Sequence, residues 1–302
     1  MKKISVSIGT SAYNEENNIK HMLLSVIAQK ENLFKIKEII VVSDGSKDST
    51  VKIVKSIKDK RIKVIDDGKR LGQPARINQL FKLFKSDVLV LIDSDMIMKY
   101  KDTLEKLTEK FVYDKTTALV CGETEPLPAR TFLESAINNY RYARKSLEKE
   151  FCFGSTAYCA HAFLAFSKKY ARSLQLPKGI LNGDAFSYFT SVSRGLTHYF
   201  ATDAITLYRS PSSIRDHINQ STRHLAGGIQ LYDYFGKEFI DAGFAVPQKI
   251  RLKLLFYQLR QNPIGYIFLK IINLYCGYKS RKASKSLNIR WTTIISSKMS
   301  IL

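Results

Sequence analysis

The sequence predicts an α/β fold with a mostly parallel, Rossmann-like central sheet flanked by helices. Short apolar runs, such as residues 38–43 and 88–92, are rich in Val and Ile and are too short for helices, so they indicate buried strands. Segments with a helical apolar stripe, such as residues 19–27, alternate with these runs. This alternation is typical of a parallel sheet joined by right-handed crossovers.

The first half of the chain repeats one plan: a strand, a polar turn and an amphipathic helix. Asn14 is a predicted helix N-cap, with Glu15 and Glu16 in the first turn, where acidic side chains are favourable. Pro74 stands near the start of another helix, a position that suits its fixed φ. Strands are predicted at residues 4–10, 38–43, 61–65, 88–92 and 117–123, a long helix at residues 131–149, and a later helix capped by Ser212 or Ser213.

Two carboxylates follow the strand at residues 88–92 directly. Asp93 and Asp95 would repel each other at close range unless a cation neutralised them, and carboxylate oxygens with open positions suit Mg²⁺ or Mn²⁺ carrying substrate phosphates. The alternative is that Asp93 caps the next helix and Asp95 is solvated. Ligands of parallel sheets bind outside the carboxyl ends of the strands, which places Glu15 and Asp44 in the same crevice.

Four short motifs, in this order, resemble the successive motifs of family 2 glycosyltransferases, which have the GT-A fold. The resemblance covers roughly residues 4–230. It implies a nucleotide-sugar donor, inversion at the anomeric carbon and a divalent cation, Mn²⁺ or Mg²⁺. A UDP-sugar is the favoured donor, because the base bound in this family is usually uracil. The motifs are Ala12-Tyr13-Asn14-Glu15-Glu16, the run from Asp44 to Thr50, the run from Gly72 to Asn78, and Asp93-Ser94-Asp95.

The resemblance also implies roles for individual residues of the donor site. Asp44 would bond the base, and Asp93 would contact the ribose or sugar. Asp95 would hold the metal on the diphosphate, with Asp93 as a second candidate ligand. The residues implied to line the nucleoside pocket are Ala12, Tyr13 and Glu15.

The third motif departs from the family pattern after Gly72. The family often has Lys at the next position, and this chain has Gln73. Arg76, or the pair Lys69-Arg70, would supply the missing positive charge to the donor. The alternative for these basic residues is a solvated surface.

The second half of the resemblance centres on Asp184, which follows a Gly turn at the start of a predicted helix. This position resembles the family's general base, which takes the proton of the acceptor hydroxyl. Gly183 stands where the family usually has Glu, and a helix N-cap is the alternative role for Asp184. Gln220 and Arg223 resemble the Gln-x-x-Arg-Trp motif, with His224 in place of Trp, and their spacing puts both on one helical face, facing the donor diphosphate. The missing Trp, together with the absence of several transmembrane helices, favours transfer of a single sugar over processive synthesis.

The predicted catalytic domain covers residues 1–236, and residues 237–302 form a basic helical extension. Within the domain, the nucleotide-sugar half covers about residues 1–98 and the acceptor half about residues 99–236.

The net charge of the chain is +21, and its last stretch is the most basic. Residues 248–302 contain eleven Lys or Arg and no Asp or Glu. Two amphipathic helices in this stretch predict association with an anionic membrane surface. A basic helical cap packed on the catalytic domain is the alternative. A membrane span over residues 261–278 is disfavoured by Lys270 at its centre.

These features set expectations for the acceptor and for the place of the protein in the cell. We expect a glycan or lipid-linked acceptor in the synthesis of cell-surface polysaccharide or glycoconjugate, and a cytoplasmic protein that is peripheral on the inner face of the membrane. Four cysteines without C-x-x-C spacing and an N-terminus without a signal peptide agree with a cytosolic location.

Two other function classes fit less well. A nucleotidyltransferase would need a Gly-rich basic loop after its first strand, where this chain has the acidic Tyr13-Asn14-Glu15-Glu16. The positive charge alone suggests a nucleic-acid binder, but no RNA-binding motif accompanies it, so no nucleic-acid partner is expected.

Overall fold

The computed structural model of the chain describes residues 3–151, 163–283 and 301. Its strands are β1 Ile4–Ala12, β2 Phe34–Ser43, β3 Ile62–Ile65, β4 Val88–Ile92, β5 Met96–Met98, β6 Thr117–Pro126, β7 Phe163–Ser167 and β8 Thr197–Tyr208. Its helices are α1 Ile19–Ile27, α2 Thr50–Ser56, α3 Gln73–Leu83, α4 Thr103–Tyr113, α5 Phe132–Phe151, α6 Lys168–Ser173, α7 Gly183–Ser193, α8 Ile214–Gln230, α9 Tyr232–Phe235, α10 Lys237–Phe244, α11 Gln248–Gln261 and α12 Pro263–Ala283.

The strands form one sheet in the order β3-β2-β1-β4-β7-β6-β8-β5. The α/β class is confirmed, and the first four strands of that order are parallel, as the alternation of strands and helices predicts. β7 then runs antiparallel to both β4 and β6, and β5 runs antiparallel to β8, so the sheet is mixed. Hydrophobic periodicity identifies a buried strand but carries no information on its direction.

Strand β4 shows how the sheet divides the core into two layers. Val88, Val90 and Ile92 contact the layer formed with α1, α2 and α4, whereas Leu89 and Leu91 contact the layer formed with α3, α6 and α7. All five side chains are buried, because both faces of the strand are covered by helices. This explains why the run is continuously apolar.

The loop after β1 differs from the prediction. Asn14 does not cap α1; it adopts the left-handed conformation, with φ of 52°, which Asn tolerates better than most residues. Its side-chain oxygen accepts a hydrogen bond from the Lys47 backbone N–H at 2.9 Å and so ties the loop after β1 to the loop after β2. Asn18 takes the N-cap position. The predicted cap at Ser213 is confirmed, since its hydroxyl accepts the Asp216 N–H at 3.1 Å.

The helices of the predicted extension pack on the rest of the fold. Helix α12 lies against α5 and α8, and α11 lies against α5. Two small apolar clusters join them, one around Ala143, Ile250 and Leu254 and one around Ala136 and Leu269. Across the described residues, no helix combines the length and the hydropathy needed to cross a membrane. Residues 284–300 and 302 of the predicted extension lie outside the described part.

A buried arginine on α3 connects the ends of β2 and β3. The Arg76 side chain is fully buried, and its guanidinium donates to Asp44 at 3.1 Å, to Asp67 at 2.7 and 3.0 Å, and to Gln79 at 3.1 Å. It also donates to the Lys69 carbonyl. These bonds hold the pKa of the Asp67 carboxyl far below its ordinary value, with the hydrogen bond from Arg76 as the main cause.

We expect Arg76→Met to lower the free energy of unfolding by about 3 kcal/mol, because it leaves a buried carboxylate without its cation. Arg76→Lys should recover only part of this loss, since an ammonium cannot bond two carboxylates in the fork geometry of arginine. The control is Lys237→Met, whose ion pair with Asp241 is exposed to solvent, so its loss should leave the urea midpoint close to that of the unsubstituted chain. Urea unfolding measures all three variants, and equal midpoints for Arg76→Met and the unsubstituted chain would contradict the expectation.

Candidate active site

A deep cleft of about 910 Å³ opens at the carboxyl ends of β1, β2 and β4. Its far side is formed by α5, α7, α8 and α12. The volume is in the range of ordinary small-molecule sites. The predicted site residues that line the cleft are Ala12, Tyr13, Glu15, Asp44, Asp93, Asp95, Asp184, Gln220 and Arg223.

Two planar groups, an aromatic ring and a guanidinium, line the end of the cleft near β1 and β2. The Arg70 guanidinium lies over the Tyr13 ring, 3.8 Å from its centroid. The Asp44 carboxylate accepts the backbone N–H groups of Leu71 at 2.7 Å and Gly72 at 3.0 Å, which fixes the turn that carries Arg70. Gly72 has φ of 91°, a conformation that other residues rarely adopt.

The position of Arg76 corrects one prediction. Because its side chain is fully buried behind Asp44, Arg76 does not face the cleft and is not placed to contact a donor directly. Arg70, the alternative within Lys69-Arg70, lines the cleft instead. Arg70 lies in the turn that Asp44 holds and Arg76 bonds Asp44 directly, and only the tertiary contacts decide which of the two side chains is buried.

Glu15 and Gln73 are held by hydrogen bonds. The Glu15 backbone N–H donates to the Thr50 hydroxyl at 2.7 Å, and the Asn18 amide donates to the Glu15 carboxylate at 3.0 Å. The Gln73 amide donates to Asp93 at 3.1 Å. The residue that departs from the family pattern is therefore a neutral partner of the first carboxylate after β4.

Four carboxylates share the floor of the cleft, and three of them act on the fourth, Asp93. The pKa of Asp93 is raised well above its ordinary value, first by burial and then by the negative charges of Asp95, Asp184 and Glu15. Arg223 opposes this rise. Burial lowers the pKa of Arg223 to about 10, although the same carboxylates favour its charged form. A concentration of negative charge with one neighbouring guanidinium is an environment that a further cation would stabilise.

The two carboxylates that follow β4 are candidate ligands of a divalent cation. Asp93 and Asp95 offer hard carboxylate oxygens, which suit Mg²⁺ or Mn²⁺. Within residues 3–151, 163–283 and 301, no three His, Cys, Asp or Glu side chains are grouped into a metal-binding set. The residues present thus fit a cation that draws its remaining ligands from a bound phosphate or from water, and they do not form a closed protein cage.

Asp184 does not cap α7, which was the alternative to its role as a base. Asn182 is the N-cap of α7, and its side-chain oxygen accepts the Ala185 N–H at 3.1 Å. Asp184 follows in the first turn and lines the cleft. Burial at the cleft floor raises its pKa to about 7, and Arg223 limits the rise.

A glycine brings Arg223 to this floor. Gly227 lies one turn further along α8, and a β-carbon there would stand 3.0 Å from the Asn182 β-carbon and 3.3 Å from the Leu181 β-carbon. The close approach of α8 to the start of α7 therefore depends on the absence of a side chain at this position.

The far side of the cleft carries residues that the sequence analysis did not identify. Arg141 on α5 donates to the Thr124 hydroxyl at 2.8 Å and faces the end of β6. His217 on α8 is within hydrogen-bonding distance of Asn273 on α12, at 3.2 Å. No local motif marks these positions, because they meet only through the packing of α5, α8 and α12. The missed residues that line the cleft include Tyr140, Arg141, Arg144, Arg209, His217 and Asn273.

Comparison with known proteins agrees with this architecture. The family model described as "Glycosyl transferase family 2" matches residues 7–174, more than half of the chain. The chain therefore belongs to glycosyl transferase family 2, and it is a glycosyltransferase.

Two curated relatives match the chain over part of its length. A poly-β-1,6-N-acetyl-D-glucosamine synthase of Staphylococcus aureus is 30% identical over 113 residues, which cover 37% of this chain and 26% of that protein. A dolichyl-phosphate β-glucosyltransferase of Trichomonas vaginalis is 31% identical over 132 residues, which cover 41% of this chain and 38% of that protein. The match thus spans well under half the length of either relative.

Solved structures share the fold over most of the chain. A mannosyltransferase from Pyrobaculum calidifontis, in complex with GDP-mannose and Mn²⁺, has a TM-score of 0.65 at 16% identity and covers 94% of this chain and 88% of its own. Glucosyl-3-phosphoglycerate synthase from Mycobacterium tuberculosis, in complex with Mn²⁺, UDP and glucosyl-3-phosphoglycerate, has a TM-score of 0.52 at 15% identity and covers 77% of this chain and 80% of its own. At these identities the likeness establishes the GT-A fold.

We expect Gly227→Ala to lower the transfer rate, because the added methyl group pushes α8 and Arg223 away from the start of α7. It should also lower the free energy of unfolding by about 1–3 kcal/mol. Gly228→Ala is the matched control, since a β-carbon there meets no atom within 4 Å. It should leave the rate unchanged and stabilise α8 by up to about 1 kcal/mol.

Initial rates and urea unfolding of the two variants test this expectation. Equal effects of the two alanines on the rate would show that the approach of α8 to α7 does not position Arg223.

Proposed function

We propose that this chain is an inverting, cation-dependent glycosyltransferase that moves a single sugar from a nucleoside-diphosphate sugar, favoured as a UDP-sugar, to a hydroxyl of a glycan or lipid-linked acceptor. The observation that carries the proposal is the group of Asp93, Asp95 and Asp184 on one cleft floor, opposed by Arg223. Two of these acids follow a strand at the donor side, and the third comes from α7. A single displacement needs a base beside the attacking hydroxyl, on the side of the anomeric carbon opposite the leaving group, and acids on two separate elements could supply these two positions.

The donor would lie along the ends of β1, β2 and β4. Tyr13 and Arg70 offer flat surfaces for the nucleoside, with Ala12 and Glu15 beside them, and Asp44 would accept from the base. The neighbours in complex with nucleotide sugars include both GDP-mannose and UDP-containing structures, so they support a nucleotide donor more than a particular base. The UDP preference rests on the resemblance of the first two motifs.

Asp95 would hold a divalent cation, Mn²⁺ or Mg²⁺, with Asp93 as the second candidate ligand. When bound, such a cation neutralises the charge that develops on the departing diphosphate. Arg223 adds a positive charge from α8 at the same place, and Gln220 lies one helical turn before it on the same face. Gln73 orients Asp93 through its amide.

Asp184 would act as the general base. Its carboxylate takes the proton of the acceptor hydroxyl while that oxygen attacks the anomeric carbon. A pKa of about 7 suits this role, because the group is both substantially ionised and basic near neutral pH.

The acceptor would approach from the side of α5, α8 and α12. Arg141 and Arg144 line this part of the cleft, which favours an acceptor that carries negative charge, as a lipid phosphate does. The names of the two curated relatives refer to a polysaccharide and to a lipid phosphate. We place the reaction in the synthesis of cell-surface polysaccharide or glycoconjugate, on the cytoplasmic face of a membrane, with one sugar added per acceptor.

Calorimetric titration tests the donor and the cation together. We expect UDP-sugars to bind only weakly without Mn²⁺ or Mg²⁺ and at least tenfold more tightly with either, because the cation relieves repulsion between the diphosphate and the cleft carboxylates. Asp95→Asn should remove most of this gain. The exposed Asp203→Asn is the matched control and should bind like the unsubstituted chain. Tighter binding of GDP-sugars would overturn the UDP preference, and cation-independent binding would overturn the metal role.

Asp184→Asn should retain cation-dependent donor binding and lose transfer by about 10²–10⁴-fold, the usual contribution of a general base. The rate should rise with pH through the pKa of about 7 and level off above it, because only the ionised carboxylate accepts a proton. Arg223→Gln should move this limb to higher pH, since Arg223 lowers the pKa of Asp184, whereas Arg223→Lys keeps the charge and should move it less. Undiminished transfer by Asp184→Asn would place the base elsewhere.

A further inference from the structure

Helix α12 exposes a continuous apolar stripe on the side that faces away from the protein. Its outward side chains are between 52% and 76% exposed. Their spacing of three and four residues puts them within about 100° of the helix circumference, over a length of about 20 Å. The opposite side of α12 packs on the fold through Gly265, Leu269, Cys276 and Ser280, all of which are buried. The stripe consists of Ile264, Ile267, Ile271, Leu274, Tyr275 and Tyr278.

Helix α11 has the same arrangement on a smaller scale. Ile250, Leu254 and Gln258 are buried against the fold. The exposed apolar side chains of α11 are Leu252, Phe256 and Leu259. Single exposed apolar residues are common on protein surfaces, but rows of them on consecutive helices mark an interaction surface.

Positive charge flanks these rows. On the helical wheel, Lys270 and Arg281 lie on one border of the α12 stripe and Lys279 on the other. Lys249 and Arg260 border the α11 row. Lys270 is therefore at the edge of the apolar surface, where its ammonium reaches water or a headgroup while its methylenes remain among apolar groups.

We infer that α11 and α12 lie in the interface of an anionic lipid bilayer, with the α12 stripe inserted among the acyl chains near the headgroups. Apolar insertion and attraction of flanking cations to anionic lipid are the two contributions that hold amphipathic helices at such a surface. A second copy of the chain is a poorer occupant. A symmetric dimer through this stripe would bring together the cations of both copies, and residues 248–302 contain no acid to neutralise them.

The same helix also lines the cleft. Asn273, on the side of α12 away from the stripe, faces the cleft and lies 3.2 Å from His217. Helix α12 would thus separate the bilayer surface from the acceptor side of the cleft by the width of one helix. Delivery of a lipid-linked acceptor along this route rests on the proposed function, whereas docking of the helices on lipid does not.

Vesicle flotation of the full chain tests the docking. We expect the chain to float with vesicles of phosphatidylcholine containing phosphatidylglycerol, to float less with pure phosphatidylcholine, and to be partly released by salt. Ile271→Glu combined with Leu274→Glu should weaken binding at least tenfold, because it puts two carboxylates where acyl chains would lie. The matched control is Leu24→Glu combined with Tyr113→Glu, which changes two exposed apolar residues on α1 and α4 and should leave flotation unchanged.

Three results would overturn the inference: failure of the unsubstituted chain to float, equal flotation of the stripe variant, or equal loss in the control variant. Analytical sedimentation of the same samples tests whether a second copy of the chain, instead of lipid, covers the stripe. A dimer that the stripe variant converts to monomer, without vesicle binding by either, would assign the stripe to contacts between copies. Calorimetric binding of UDP and Mn²⁺ is measured in parallel, so that a failure of the donor site is separate from a failure of docking.

Discussion

Mutual repulsion among the carboxylates at the end of β4 is the constraint on which the site depends. Asp93, Asp95, Asp184 and Glu15 converge at the floor of one cleft, with Arg223 as the guanidinium that acts on them. Like charges so placed cost free energy, and a cation bound among them would lower that cost. Burial at the same floor raises the pKa of Asp184 to about 7, and the positive charge of Arg223 limits the rise.

The surrounding fold holds this arrangement through contacts that take no part in chemistry. Arg76 fixes the turn after β2 because its guanidinium pairs with both Asp44 and Asp67. Asn182 satisfies the start of α7 and so leaves Asp184 free to face the cleft. Gly227 lets α8 approach closely enough to carry Arg223 to the same floor. Each of these residues positions another, and Arg76, which was predicted to contact a donor, lies buried behind Asp44 instead.

Helices α11 and α12 combine a membrane-binding pattern with packing on the rest of the fold. Their basic amphipathic pattern indicates a membrane surface, and their packing on α5 and α8 makes them part of the catalytic body. A helical cap and a membrane-docking element are therefore compatible descriptions of the same residues. The buried side of α12 consists mainly of small side chains, whereas most of its large apolar side chains are exposed. Helices of globular proteins usually show the reverse distribution.

The sequence alone determined the α/β class, the four parallel strands β1 to β4, the acids at strand ends and the glycosyltransferase family, because these follow from local periodicity and short motifs. Only the tertiary structure decided the direction of β7, the burial of Arg76, the cleft contacts of Arg70 and the cationic residues of α5. These depend on contacts between residues far apart in sequence, and no local pattern encodes them. The α12 stripe lies between the two cases: its apolar residues are visible in the sequence, but which of them face outward depends on the packing of α12 against α5 and α8.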